Sequence, residues 1–200
     1  MKKNLLFLLL IFCSLSLAAQ NKLYKISGVV SDQPEAKYAL IFSLYKKAVF
    51  IKPIIDGRFE FNLPRERDVE MCAFMLRADT LISFEDFASS RRSRPNDTKM
   101  TVIDNVELKT AQPISQTILS GSTLNQDLDD MFATIKSKKY EQYFATHADS
   151  PISVVFLKSL AQIQASGYLP EVDSKKYYGL LSERLKQTTE GQALAEKINL

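Results

Sequence analysis

Asp56-Gly57 stands between two runs of alternating apolar residues, and no other stretch restricts the folds open to this chain as much. A two-residue reversal of this kind needs positive φ at both positions, which Asp-Gly supplies at low steric cost. Before it, Val49, Ile51 and Ile55 alternate with polar or smaller residues; after it, Phe59, Phe61 and Leu63 alternate with Arg58, Glu60 and Asn62. The spacing predicts a β-hairpin over Val49–Leu63, with Pro53 marking an edge or a bulge. A lone hairpin is marginal in water, so further strands or a helix must cover its apolar face.

The flanking segments predict those strands. Leu23–Val30 alternates, and Gly28 inside it fits a bulge or a close backbone approach. Tyr38, Leu40, Phe42 and Leu44 share one face of the next run; Val69, Met71, Ala73 and Met75 form another, and Leu81–Phe84 a shorter one. Ser89–Asp97 is polar, basic and rich in turn formers, which predicts a mobile loop. Met100–Ile103, Val106–Lys109 and Ile114–Leu119 restore the two-residue period. Short strands joined by turn chemistry predict an antiparallel β-sandwich of about seven to nine strands over residues 22–120.

At Gly121 the period becomes helical, and residues 121–200 predict a small α-helical bundle. Leu124, Leu128, Met131, Phe132 and Ile135 share a face, with Thr123 and Gln126 as a capping box. A short helix carries Tyr140, Tyr143 and Phe144. Asp149-Ser150-Pro151 starts another, with Ile152, Val155, Phe156, Leu160 and Ile163 inward and Gly167 as its stop. Asp173 opens a fourth, running through Tyr177, Leu180, Leu181 and Leu185, and Leu194 and Ile198 mark the last.

Residues 1–19 read as a signal peptide: Lys2-Lys3, an apolar run from Leu5 to Phe12, then small residues. The run is too short to span a bilayer. Cleavage is expected after Ala18 or Ala19, placing the protein in the periplasm or cell envelope. Lipidation at Cys13 is the weaker reading, because Phe12 precedes it where a small residue is expected. Without Lys2 and Lys3 the formal charge of +3 falls to +1, so no basic footprint for nucleic acid exists. The mature chain keeps Cys72 alone, which excludes an internal disulfide and a C-x-x-C redox centre.

Few residues carry reactive chemistry. Cys72 sits in a strand pattern and reads as a packed side chain. His147, the single histidine, excludes a histidine metal cluster and reads as a capping or solvated residue. Arg91, Arg92 and Arg94 could bind an anionic group, but a solvated loop accounts for them. Asp127, Asp129 and Asp130 lack a glycine-punctuated calcium loop, and the positive end of a helix accounts for them. No catalytic, cofactor-binding or metal-ligating residue is assigned, no cofactor is expected, and the chain does not read as an enzyme.

Ile26-Ser27-Gly28-Val29-Val30, the Asp56–Phe61 turn and Leu119-Ser120-Gly121-Ser122-Thr123-Leu124-Asn125 follow one another in an order with a precedent. They resemble an exported bacterial domain of unknown function. That domain precedes a thioredoxin-like disulfide oxidoreductase domain of the alkyl-hydroperoxide-reductase or thiol-specific-antioxidant type. Ser150-Pro151-Ile152-Ser153 is similar to the family's helix start, and Tyr178–Leu181 through Thr189–Leu194 to its last helices. The stretch from Leu124 to Pro151 is shorter than in the family, and the chain ends where the thioredoxin-like part would begin. The resemblance therefore implies no redox residues here. Two functions fit: a non-catalytic envelope module binding a protein or an extended ligand, or an accessory or truncated relic of a redox system served by a separate thioredoxin-like protein.

Overall fold

In the computed structural model, residues 22–31, 33–93, 95–169 and 172–200 are described; the signal segment lies outside them. Eight strands form two four-stranded sheets. The first sheet has β4 (Arg58–Pro64), β1 (Leu23–Val29), β7 (Val106–Lys109) and β8 (Ile118–Ser120) side by side. The second has β3 (Ala48–Pro53), β2 (Tyr38–Ser43), β5 (Met71–Arg77) and β6 (Lys99–Val102). Ile26, Phe59, Phe61 and Leu108 from the first sheet share one buried cluster with Ile41, Cys72 and Phe74 from the second. The pairing departs from a wholly antiparallel pattern at one place: β1 runs parallel to β7, with Ile26 beside Val106 and Val29 beside Lys109.

Asp56 and Gly57 both adopt positive φ, at 49° and 69°, and Ile55 and Arg58 exchange two backbone hydrogen bonds of 2.9 Å across the turn. The predicted hairpin stops there. β3 pairs with β2, Phe50 opposite Ile41, whereas β4 pairs with β1, Phe61 opposite Ile26. The turn is a corner between sheets, and Pro53 at the end of β3 is where the chain leaves the second sheet. Gly28 lies opposite Phe59, and a Cβ there would stand 2.7 Å from the Leu108 carbonyl.

A helix occupies the start of the predicted loop. α1 (Phe84–Ser93) begins at a capping box, with Ser83 Oγ accepting from the Asp86 amide and Asp86 Oδ2 accepting from both the amide and the hydroxyl of Ser83. Leu81–Phe84 is therefore no strand. Phe87 of α1 is buried against Phe42, their rings stacked 4.0 Å apart. It joins Leu40, Ala73 and Met75 on the face of the second sheet turned away from the first. Burial on both faces explains why β2 and β5 carry unbroken apolar runs instead of a clean alternation. Ile114–Gln116 is a single 3-10 turn, and of the predicted Ile114–Leu119 strand only Ile118 and Leu119 pair, in a β8 that extends to Ser120.

The helices follow: α2 (Thr123–Ser137), α3 (Tyr140–Thr146), α4 (Pro151–Ala165), α5 (Ser174–Leu180), α6 (Glu183–Lys186) and α7 (Thr189–Lys197). Their core is an aromatic cluster of Tyr140, Phe144, Phe156 and Tyr177 ringed by Leu128, Leu157 and Leu194. α2 is capped by Ser122, one residue before the predicted Thr123, because Ser122 Oγ accepts from the Asn125 amide while donating to Asp104. The fourth predicted helix breaks in two. Leu181 turns extended, the Ser182 amide donates to Ala148, and Ser182 caps a new turn at Leu185.

Helices and sheets are joined at β6, an edge of the second sheet. Fully buried Asn125 accepts from the Val102 amide at 2.8 Å and donates to the Val102 carbonyl at 3.2 Å, standing in for a neighbouring strand. Its Oδ1 also accepts from Thr101 Oγ1 at 2.6 Å, and Lys99 reaches Asp129 at 2.7 Å alongside. Val102 and Met71 contribute to the core of the helices.

Candidate functional site

The chemistry-bearing residues are tied into structure. Cys72 is fully buried between the sheets, and burial first, with the Glu70 carboxylate second, pushes its thiol far above the ordinary range. His147 closes α3: its Nδ1 lies 3.1 Å from the Tyr143 carbonyl and its ring stacks on Tyr143 at 4.3 Å. Its Nε2 faces Asp130 at 3.2 Å and Asp127 at 3.6 Å, while Asp127 accepts from Ser150 Oγ at 2.6 Å. Ser150 in turn accepts from the Ile152 amide as the cap of α4, so its hydroxyl proton goes to a carboxylate and not to the imidazole. Burial, reinforced by Asp127 and Asp130, raises the Tyr143 phenol well above its usual value. Asp129 pairs with Lys99. Among the described residues, no group of three His, Cys, Asp or Glu is placed to hold a metal ion. Arg94 lies outside the described residues, and of Arg91 and Arg92 only the helical backbone is described.

An apolar concave site lies elsewhere, where the end of the second sheet faces α4, α6 and α7. It is a cleft of about 410 Å³. Leu44, Val69 and Met71 form one wall and Val154, Val155 and Leu185 the other, a volume and an apolar lining in the range of ordinary ligand sites. Tyr45 and Arg67 stand at the sheet-side lip, with the guanidinium 3.7 Å from the ring centroid. Lys158 and Glu190 rim the helical side, and Asp68 lies beside Arg67.

A buried carboxylate sets this lip. Glu70 is 1 % exposed; it accepts from Ser43 Oγ at 3.0 Å and from the Glu66 amide at 3.2 Å. Lys46 reaches Glu66 at 3.0 Å and lies 3.9 Å from Glu70. The segment after β4 is thereby fastened to the turn after β2, which sets Arg67 against Tyr45. The helical wall is held by the caps Ser150, Ser182 and Thr188, the last accepting from the Gly191 amide at 3.0 Å.

The serine and threonine hydroxyls lining the cleft are spent locally: Ser159 donates to the Val155 carbonyl and Thr188 to that of Leu185. Neither faces a base. The arrangement can hold an apolar group and meet polar groups at its mouth. No family model, curated protein or solved structure matches this chain.

None of the residues at this mouth stands out in the sequence. Tyr45 precedes the paired lysines Lys46-Lys47, and Arg67-Asp68 fall between two apolar-alternating runs, patterns that mark no site. One signal was available on α4. Ile152, Val154, Val155, Phe156 and Leu157 are too many apolar residues for a single inward stripe, so more than one side of that helix had to be covered. Val155, expected inward, is half-buried and lines the cleft, and Ile163, also expected inward, is 41 % exposed.

Proposed function

We propose that this protein is a non-catalytic binding module of the cell envelope, and that the cleft between the second sheet and α4 is its binding site. The observation that carries this reading is an apolar cleft of about 410 Å³ whose lip is held from beneath by buried Glu70. Preorganisation of this kind lowers the ordering cost of association. On the same reading the two four-stranded sheets are the layers of one eight-stranded β-sandwich, supported by the core that Ile26, Phe61, Ile41 and Phe74 share. Export is supported by the Lys2-Lys3 start and the apolar run that follows. Mass measurement of the mature protein is expected to give an N-terminus near Ala19, Gln20 or Asn21; an intact Met1 contradicts it.

A fragment screen read by amide NMR tests the site. Small apolar fragments are expected to shift the resonances of Tyr45, Val69, Val155 and Lys158, and to lose those shifts in Val155→Arg. Shifts that cluster away from the cleft, or survive Val155→Arg, overturn the assignment.

A further inference from the structure

We infer that the cleft receives a short extended segment of a partner polypeptide, apolar in its centre and carrying charged side chains of both signs. The inference rests on the binding reading above and names its ligand class.

The argument is one of complementarity. Each wall presents one cation and one anion at the mouth: Arg67 and Asp68 from the sheet side, Lys158 and Glu190 from the helices. No ion pair joins any of the four to another described residue, so their charges are available to a ligand. Arg67 is oriented without being used up. Its face lies on Tyr45, and the N–H donors in its plane have no acceptor among the described residues, which leaves them able to meet an acceptor on a ligand. A rim with both signs on both walls disfavours a uniformly charged ligand such as a nucleic acid or a sulfated glycan. It suits a polypeptide, whose backbone and side chains supply donors, acceptors and both charges. The floor of Leu44, Val69, Met71, Val155 and Leu185 takes apolar side chains, with Met71 able to adapt its shape. Tyr and Arg at the mouth of an apolar pocket are the residue types that dominate protein–protein binding energy.

The test pans a phage-displayed random dodecapeptide library against the mature protein, then measures synthetic versions of the enriched peptides by fluorescence anisotropy. Enriched sequences are expected to combine two or three apolar residues with flanking charges. Their binding should weaken at least about tenfold in Tyr45→Ala and in Arg67→Ala. Both side chains are exposed, so these variants are expected to keep the wild-type melting temperature. Lys158→Glu is expected to shift the preferred peptides toward basic flanks. No enrichment, or peptides that bind all three variants as they bind wild type, overturns the inference. Fragments that fill the cleft while no peptide is enriched defeat the polypeptide and leave the binding site standing. Failure of both defeats both.

Discussion

Gly57 adopts φ of 69° beside Asp56 at 49°, so its role is a backbone conformation and not a contact. Gly57→Val puts a β-branched side chain in the left-handed region and is expected to cost about 1–3 kcal/mol in chemical denaturation. An unchanged midpoint would show that the turn relaxes without its glycine. This turn was legible because Asp-Gly dictates it within two residues. The destination of its strands was not, since whether β4 joins β3 or β1 depends on partners as distant in sequence as Leu23 is from Pro64. Cys72 belongs to the same scale. Burial holds its thiol protonated at any ordinary pH, so native protein is expected not to react with an aromatic disulfide reagent until denatured, and not to reduce insulin disulfides. Reductase activity abolished by Cys72→Ser would make that residue a site.

At the scale of elements, α1 is the piece that the sequence pattern concealed. Its polar, arginine-rich end drew attention away from Ser83–Asp86, a capping-box spacing, and from Phe87, which is 1 % exposed. The unbroken apolar runs of β2 and β5 already called for a cover on their second face, and that cover is Phe87 against Phe42. Phe87→Ala is expected to cost about 3–5 kcal/mol, a range set by how far the site can collapse. A loss below about 1 kcal/mol would mean that α1 is dispensable to the sheet. The cap predicts a pH effect as well. The Ser83 hydroxyl and amide hold the Asp86 carboxyl below its ordinary range. The stabilisation is therefore present above the ordinary carboxyl pKa and lost as pH falls through the lowered one. Amide exchange in the first turn of α1 is expected to quicken on acidification through that window, and Asp86→Asn to quicken it at neutral pH.

For the whole molecule the question is whether sheets and helices behave as one body, and Asn125 decides it. β8 ends at Ser120 and α2 starts at Thr123, on either side of Gly121, where the sequence period changes. What periodicity could not convey is that Asn125, in the first turn of α2, would be a sheet partner and not a surface residue. The cleft escaped for the same reason: its two walls come from segments about a hundred residues apart, and only the docking of helices onto β6 brings them together. Asn125→Ala leaves the Val102 amide and carbonyl and the Thr101 hydroxyl without this partner in a fully buried position. Each buried group deprived of its bond costs about 1–3 kcal/mol, so a loss of about 3 kcal/mol or more is expected. At about 2–4 °C per kcal/mol for a chain of this length, the melting temperature should fall by roughly 6–12 °C. Because Val102 and Met71 also belong to the helical core, sheet and helix should melt together. Far-ultraviolet circular dichroism, which is dominated by the helices, and the amide resonances of β1 and β2, which report the sheets, should give one midpoint before and after the substitution. Two separated transitions in the wild-type protein would show that the sheets and helices are independent, and a cleft built between them would then have no fixed shape.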